Sequence, residues 1–248
     1  MKKLLLLTTL TVSLFAISAE EVAKESYERV SGYKTSLSKT TMILKNAEGV
    51  ENIRKLEMKK IEGEDGDKSL LNFLYPEDLK DTKLLSYEVI GGDDKQWLYL
   101  PSLKRTKRIS SRNKSGSFMA SEFSYEDISS QNYKNYSYSG EAEEVTKDGI
   151  LCYKLTRIPI DVNSGYSKQD VWIEKDTLLS KYGEYYDQQN KLLKKIHFSE
   201  YREIDGVQRV VKMTISNVQN RKSSSLIWDE DAIDAGIKSS ELSKRALK

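Results

Sequence analysis

The chain has 248 residues, with 40 Lys and Arg, 38 Asp and Glu, one His and one Cys. Two lysines belong to the first three residues, so the remaining charges balance at 38 to 38 (40 − 2 = 38). This balance argues against nucleic acid as the main partner, because phosphate binding needs a basic excess. The single Cys excludes an intramolecular disulfide, and the single His excludes a zinc site of several histidines.

The N-terminus has the order of a secretory signal peptide. Two lysines precede an apolar stretch from Leu4 to Phe15, and small residues then lead to the acidic pair after Ala19. The apolar stretch is too short to span a bilayer, although an uncleaved anchor is the alternative. We predict a signal peptide over residues 1–19, cleaved after Ala19 or else after Ser18. No Cys lies near this point, which excludes a lipid attachment site there.

The mature chain, residues 20–248, reads as one domain that begins with a helix. Residues 20–30 have helical composition, and Gly32 is a natural stop. Apolar residues then recur at every second position, with turn signals between the runs at 46–49 and 63–66. Both faces of the run 96–100 are apolar, which is typical of a strand between two layers or beside a cavity.

The second half of the sequence also predicts strands that alternate with turns. Cys152 has the pattern of a small strand residue, and residues 129–140 form a polar stretch that predicts a long loop. Residues 240–247 predict a last helix capped by Ser240. Because strands follow strands without alternating helices, we predict a mainly β domain with an antiparallel sheet and helices at its ends.

Residues for catalysis are scarce. His197 is the only histidine and lies on the polar face of a predicted strand, so a Ser-His-Asp triad would depend on it alone. The sequence has no phosphate-binding glycine loop, metal-ligand motif or nucleophile elbow. We therefore expect no catalytic residues, no metal and no cofactor. A hydrolase that acts on envelope lipids remains the weakest alternative.

The segment from Trp97 to Ile128 is the most informative. An aromatic strand with Trp97 and Tyr99 is followed by a basic run and then by an apolar stretch rich in Gly and Ser. One interpretation is a hairpin followed by a loop held by apolar anchors. The other is the lid of a hydrophobic cavity, in which Met suits loosely shaped apolar ligands. The predicted cavity and lid contacts are Trp97, Tyr99, Phe118, Met119, Phe123 and Tyr125.

Three arginines in the basic run have two interpretations. Arg105, Arg108 and Arg112 would hold the phosphate of a lipid head group. Alternatively, they pair with acidic residues of the apolar stretch and only fix the loop. The acidic candidates are Glu122, Glu126 and Asp127.

These motifs resemble the LolA-like outer-membrane lipoprotein-sorting proteins, in particular a subgroup found beside RND-type exporters. The matching blocks are W-x-Y-L-P at 97–101, Arg108-Ile109, and G-S-F-M-A-S-E-F-S-Y-E-D at 116–127. Ala120 replaces the family's Gly, and Ala accepts a positive φ less easily. The resemblance implies a half-open antiparallel β-barrel with a helical lid over a hydrophobic cavity.

From the resemblance we expect a monomeric periplasmic carrier that binds the acyl chains of a lipoprotein or lipid and moves them toward the outer membrane. The alternative is a periplasmic adaptor or sensor that binds an inner-membrane RND-type exporter or an envelope-stress regulator. Clustered tyrosines at 133–138 and 182–186 add a further interpretation, a surface that binds glycan or peptide.

Overall fold

The computed structural model describes residues 17–247, so the predicted signal peptide lies almost wholly outside the described residues. Helix α1 (Ala19–Val30) begins where Ser18 caps it: the Ser18 side chain accepts a hydrogen bond of 3.1 Å from the Glu21 amide. Ile17 and Ser18 already contact the domain. The Ala142 amide donates to the Ile17 carbonyl at 3.0 Å, and Ser18 forms a β-bridge with Glu141.

Fourteen strands of the described chain form one antiparallel sheet. Most strands pair with their neighbours in sequence, and the exceptions are the pairing of the first strand with the last and of the seventh strand with the ninth. The strands are β1 (Thr35–Lys45), β2 (Glu51–Ile61), β3 (Lys68–Tyr75), β4 (Lys83–Tyr87), β5 (Lys95–Leu100), β6 (Arg105–Ile109), β7 (Tyr136–Tyr138), β8 (Glu143–Lys147), β9 (Ile150–Pro159), β10 (Tyr166–Glu174), β11 (Ser180–Asp187), β12 (Leu192–Ile204), β13 (Val207–Asn217) and β14 (Lys222–Ile233).

The sheet is open, because β6 ends one side and β7 with β8 ends the other. The pairing of β1 with β14 joins an N-terminal half, β1–β6, to a C-terminal half, β7–β14. Alternating apolar residues of both halves meet in one core on the inner side of the sheet. The structure thus confirms the predicted fold class, an open antiparallel half-barrel with a helix over its inner face.

Two different elements cover the inner side. Residues 114–131, here called the inner segment, pack on the N-terminal half: Phe118 lies 5.8 Å from Phe73, ring centre to ring centre, and is fully buried. Helix α1 instead contacts β7, β9 and β13 of the C-terminal half. The predicted loop at 129–140 contains a short 3-10 turn, Tyr133–Asn135, and the edge strand β7.

The outer face of the N-terminal half is covered by the C-terminal segment. Leu242 and Leu247 pack there on Leu70, Leu85 and Trp97. The prediction of one helix over 240–247 is wrong, because two 3-10 turns, Ser239–Leu242 and Lys244–Leu247, flank an extended Ser243. The first turn is capped at Lys238 and not at Ser240. The two leucines are five positions apart, and a continuous α-helix would place them on different faces.

Candidate functional site

A cavity of about 200 Å³ lies between α1 and the inner face of the C-terminal half. It exists because the helix contributes mostly small or short side chains, Ala23, Ser26 and Val30, to the side that faces the sheet. Tyrosines, Arg157 and many apolar strand residues lie opposite the helix. The apolar ones include Leu155, Val171, Ile173, Ile196, Phe198, Met213 and Ile215.

A second cavity of about 290 Å³ adjoins the first on the side of the N-terminal half. Tyr27, Val30 and Met213 line both cavities, so the C-terminal half of α1 separates them. Each volume is smaller than the usual range of small-molecule sites, about 300–1,000 Å³. The first cavity has a largely apolar lining, whereas Lys60, Asp67 and Arg209 are among the charged residues that line the second.

A buried polar cluster lies beside the first cavity. Lys194 on β12 donates to a carboxylate oxygen of Asp127 at 2.8 Å and to the Tyr166 hydroxyl at 2.7 Å. The side chains of Lys194 and Asp127 are 7% and 6% exposed, so both charges depend on this pairing. The cluster ties the inner segment to the C-terminal half.

Glu126 forms a second link of this kind. Its carboxylate accepts hydrogen bonds from the Ser164 hydroxyl at 2.7 Å and from the Gly165 amide at 2.9 Å. Burial, together with the negative charge of Asp127, raises the pKa of Glu126 to about 7. The Glu126 carboxyl therefore changes its protonation state near neutral pH.

Arg157 on β9 lines the first cavity at the end nearest β7. Its guanidinium stacks on the Tyr136 ring at 4.0 Å and donates to the Gln169 side chain at 2.7 Å. It also donates to Gln131 and to the Tyr185 hydroxyl, each at 3.1 Å. Among residues 17–247, no carboxylate lies within ion-pair distance of this arginine.

The residues of the inner segment that were predicted to contact a ligand differ in position. Phe123 is fully buried and lines the first cavity. Phe118 is also fully buried, but it packs on Phe73 and Tyr125 in the core of the N-terminal half. Met119 is partly buried, and its carbonyl accepts a hydrogen bond from Arg54. The segment is thus a packed inner layer, whereas the helix covers the cavity.

Trp97 and Tyr99 face the outer side of the sheet. Trp97 packs on Leu242 and Leu247, with the Lys244 ammonium 4.3 Å from its ring centre. Tyr99 packs on the same cluster. Both faces of β5 are apolar because one meets the core and the other meets the C-terminal segment. The structure thus places Trp97 and Tyr99 outside the lining of both cavities.

The three arginines of the basic run are exposed and outside both cavities. Arg105 and Arg108 lie on the edge strand β6, and Arg112 lies in the turn after it. The acidic residues proposed as their partners bind other groups: the Glu122 carboxylate, for example, accepts from Asn217 at 2.9 Å. Lys114 is the buried cation of the run, and it pairs with Asp93 and Asp161.

The single His and the single Cys lie away from this region. His197 is exposed and stacks on Tyr182, with ring centres 5.0 Å apart. Cys152 is a fully buried strand residue, and its thiol is free. Across the described residues no group of three His, Cys, Asp or Glu side chains is placed to hold a metal ion. No helix between residues 17 and 247 is long and apolar enough to cross a membrane.

Sequence reasoning missed most of the cavity lining. The inner face of β9–β13 has ordinary strand alternation, which predicts burial but does not tell a packed core from a cavity. One usable signal was Arg157, a cation at an inward position of a strand between Leu155 and Pro159. A second was the helix face with Ala23 and Ser26, which leaves space above a sheet of larger side chains.

An open antiparallel sheet with a helix over an apolar cavity defines the LolA-like class of fold. A LolA superfamily protein from Nitrosomonas europaea superposes with a TM-score of 0.76, at 15% identity over 93% of this chain and 100% of the other. At this identity the likeness concerns the fold alone.

Two solved structures are similar in sequence as well. An outer membrane lipoprotein-sorting protein domain from Vibrio parahaemolyticus is 40% identical, with a TM-score of 0.87 over 92% of this chain and 97% of that one. A DUF1329 family protein from Desulfovibrio piger is 31% identical, with a TM-score of 0.86 and the same coverage. A family model described as that of an uncharacterized protein matches residues 65–248. A search of the curated proteins finds no match. The chain belongs to the family of outer-membrane lipoprotein-sorting-like proteins that these two structures represent.

Proposed function

We propose that the protein is a non-enzymatic periplasmic carrier that holds the acyl chain of a lipid or lipoprotein in the cavity under α1. The apolar cavity beneath a single helix is the observation that supports this proposal. Each methylene moved from water into such a cavity contributes about 0.8 kcal/mol, so a partly enclosed chain already binds usefully. The Vibrio parahaemolyticus relative is named for outer membrane lipoprotein sorting, which supports a lipoprotein client.

Release requires that the cover can move. Helix α1 is joined to the sheet by the short stretch 31–34 and contacts only a few elements of the C-terminal half. A helix held mainly by its apolar side can lift without disturbing strand pairing, which is the behaviour of a lid. We propose that α1, and not the inner segment, is that lid.

Filling the cavity tests the proposal. Ala23 lines the cavity and is 8% exposed, so Ala23→Phe would occupy the space of a ligand. We expect the wild type isolated from the periplasm to carry a lipid or acylated client in native mass spectrometry, and the variant to carry at least tenfold less. Lys24→Phe puts the same ring on the exposed side of α1 and should behave as the wild type. Absence of any lipid on the wild type would overturn the carrier proposal.

The signal peptide remains part of the proposal. Cleavage after Ala19 or Ser18 would remove the side chain that caps α1, leaving the new amino terminus at the start of the helix. The intact mass of the exported protein identifies the cleavage point. A mass that includes residues 1–16 would contradict export by a cleaved signal.

An exporter adaptor is the second proposal, supported by the edge strand β6. Arg105, Lys107 and Arg108 are exposed there, and no carboxylate of the described residues pairs with them. An acidic face of an inner-membrane partner would complement this edge. Crosslinking in whole cells tests this proposal. Capture of an RND-type exporter would support it if Ala23→Phe leaves the capture unchanged. The double variant Arg105→Glu with Arg108→Glu should abolish the capture.

A further inference from the structure

Arg157 is a cation in an apolar region that the protein does not neutralise. All three hydrogen-bond acceptors around it are neutral: two amide oxygens, of Gln131 and Gln169, and the hydroxyl of Tyr185. Burial raises the pKa of Tyr185, so that hydroxyl remains protonated and uncharged. A guanidinium partly removed from water without a counter-charge loses hydration, so an anionic partner would be favoured here.

The surroundings hold this guanidinium in a fixed position. The Tyr136 ring lies under it at 4.0 Å, and Nε and Nη2 are committed to the neutral acceptors. Nη1 makes no hydrogen bond of good geometry within residues 17–247. A rigid guanidinium with a donor to spare is suited to a carboxylate or phosphate oxygen.

Its place in the cavity defines the shape of the ligand. Arg157 lies two residues after Leu155 on the same face of β9, so one side of it meets the apolar lining. On the other side Gln131 is exposed to solvent and also accepts a hydrogen bond from the Tyr136 hydroxyl at 2.7 Å. The cation therefore lies at the rim, with an apolar space beneath it and water beside it.

From this arrangement we infer that Arg157 binds the anionic head group of a lipid whose acyl chain occupies the cavity under α1. The inference rests on the proposed carrier function and narrows the client to amphiphiles with a carboxylate or phosphate at the end of the chain. An uncharged lipid would fill the apolar space but leave the guanidinium unneutralised.

Four ligands of one chain length test the inference. Dodecanoate, dodecyl phosphate, dodecan-1-ol and dodecyltrimethylammonium are compared by displacement of an uncharged apolar dye from the purified mature protein. Because hydrogen bonds between charged groups are stronger than those to a neutral hydroxyl, we expect the wild type to bind the two anions about 10- to 100-fold more tightly than the alcohol. Arg157→Gln should abolish this preference and leave the affinity for the alcohol within about threefold, while Arg157→Lys should retain part of it.

The control is Arg202→Gln, which changes a partly buried arginine that does not line the first cavity. It should keep the preference for anions. Equal binding of alcohol and anions by the wild type would overturn the inference and leave the carrier proposal intact. Binding of none of the four ligands would overturn both.

Two further outcomes are decisive. A preference that survives Arg157→Gln would place the anion elsewhere and overturn the inference. Inorganic phosphate serves as a ligand without a chain: if it binds as tightly as dodecyl phosphate, the site recognises a free anion and not a lipid head group. If Arg157→Gln fails to fold, as judged by circular dichroism, the wild-type preference and Arg157→Lys still decide the question.

Discussion

At the scale of single residues, the most informative features are ionisable side chains that are removed from solvent. Lys194, Asp127 and Glu126 bring charge into the interior, and each is satisfied by partners from a distant part of the chain. Arg157 is the exception, because its partners are neutral. We attribute that difference to the ligand, since the protein could have placed a carboxylate at Gln131 or Gln169.

Glu126 should make stability depend on pH near neutrality. Its folded-state pKa of about 7 lies above the ordinary value of 4.5, so the folded protein binds the proton more tightly than the unfolded chain. Its contribution is therefore full below about pH 4.5 and is lost as pH rises toward 7. The free energy of unfolding, measured with urea, should therefore change by about 1–3 kcal/mol less between pH 5 and 8 in Glu126→Gln than in the wild type. Glu143→Gln, at an exposed position, should leave the curve as in the wild type.

Ala120 tests the strain in the inner segment. Its φ is +61°, in the left-handed region, which is less favourable for Ala than for the Gly that the family has at this position. Ala120→Gly should raise the free energy of unfolding by about 0.5–1 kcal/mol, measured with denaturant. Ala142→Gly, at a residue without positive φ, should lower it. A loss of stability in Ala120→Gly would show that this backbone conformation is not strained.

At the scale of elements, the C-terminal segment completes the N-terminal half. β5 can be apolar on both faces only because Leu242 and Leu247 cover the outer one. The cover provided by the C-terminal segment also explains why Trp97, which the sequence suggests as a ligand contact, packs on the outer face of the sheet.

Leu242 should therefore contribute as much to the free energy of unfolding as a leucine in the core. It is 1% exposed, and Leu242→Ala should cost about 2–4 kcal/mol in urea unfolding. Leu103 is 61% exposed, and Leu103→Ala should change the value by less than about 0.5 kcal/mol. A similarly small effect at Leu242 would mean that the segment does not pack on the sheet in solution.

At the scale of the whole molecule, two halves of one sheet have different roles. The N-terminal half is covered by the inner segment on its inner face and by the C-terminal segment on its outer face, and the second cavity adjoins it. The C-terminal half is covered mainly by α1, with Phe123 of the inner segment beside it, and the first cavity lies there. The proposed acyl-chain site therefore belongs to the C-terminal half, under α1.

Hydrogen exchange should reveal this division. The amides of β1 and β14 are paired on both sides and should exchange slowest, whereas α1 should exchange much faster. Dodecanoate should slow exchange in α1 at least tenfold and leave β1 unchanged, because a ligand under the helix opposes its opening. Helix amides as slow as those of β1, and unaffected by the ligand, would contradict the role of α1 as the lid.

The local pattern of the sequence sufficed for α1, for most turns and for the antiparallel meander, since each depends on residues close together in the chain. The fold class followed from these and from the family resemblance. The predicted ligand contacts were less complete: Phe123 lines the cavity, while Phe118 packs in the core and Trp97 on the outer face. Aromatic composition indicates burial but not the layer in which a side chain is buried.

The sequence by itself determined where the strands lie and which residues alternate along them, because period and turn chemistry are local properties. Only the tertiary structure decided that β1 pairs with β14, that α1 leaves a cavity above β9–β13, and that Tyr136 and Tyr185 contact Arg157. These features depend on contacts between residues far apart in the chain, whose free energies appear only when the sheet is assembled.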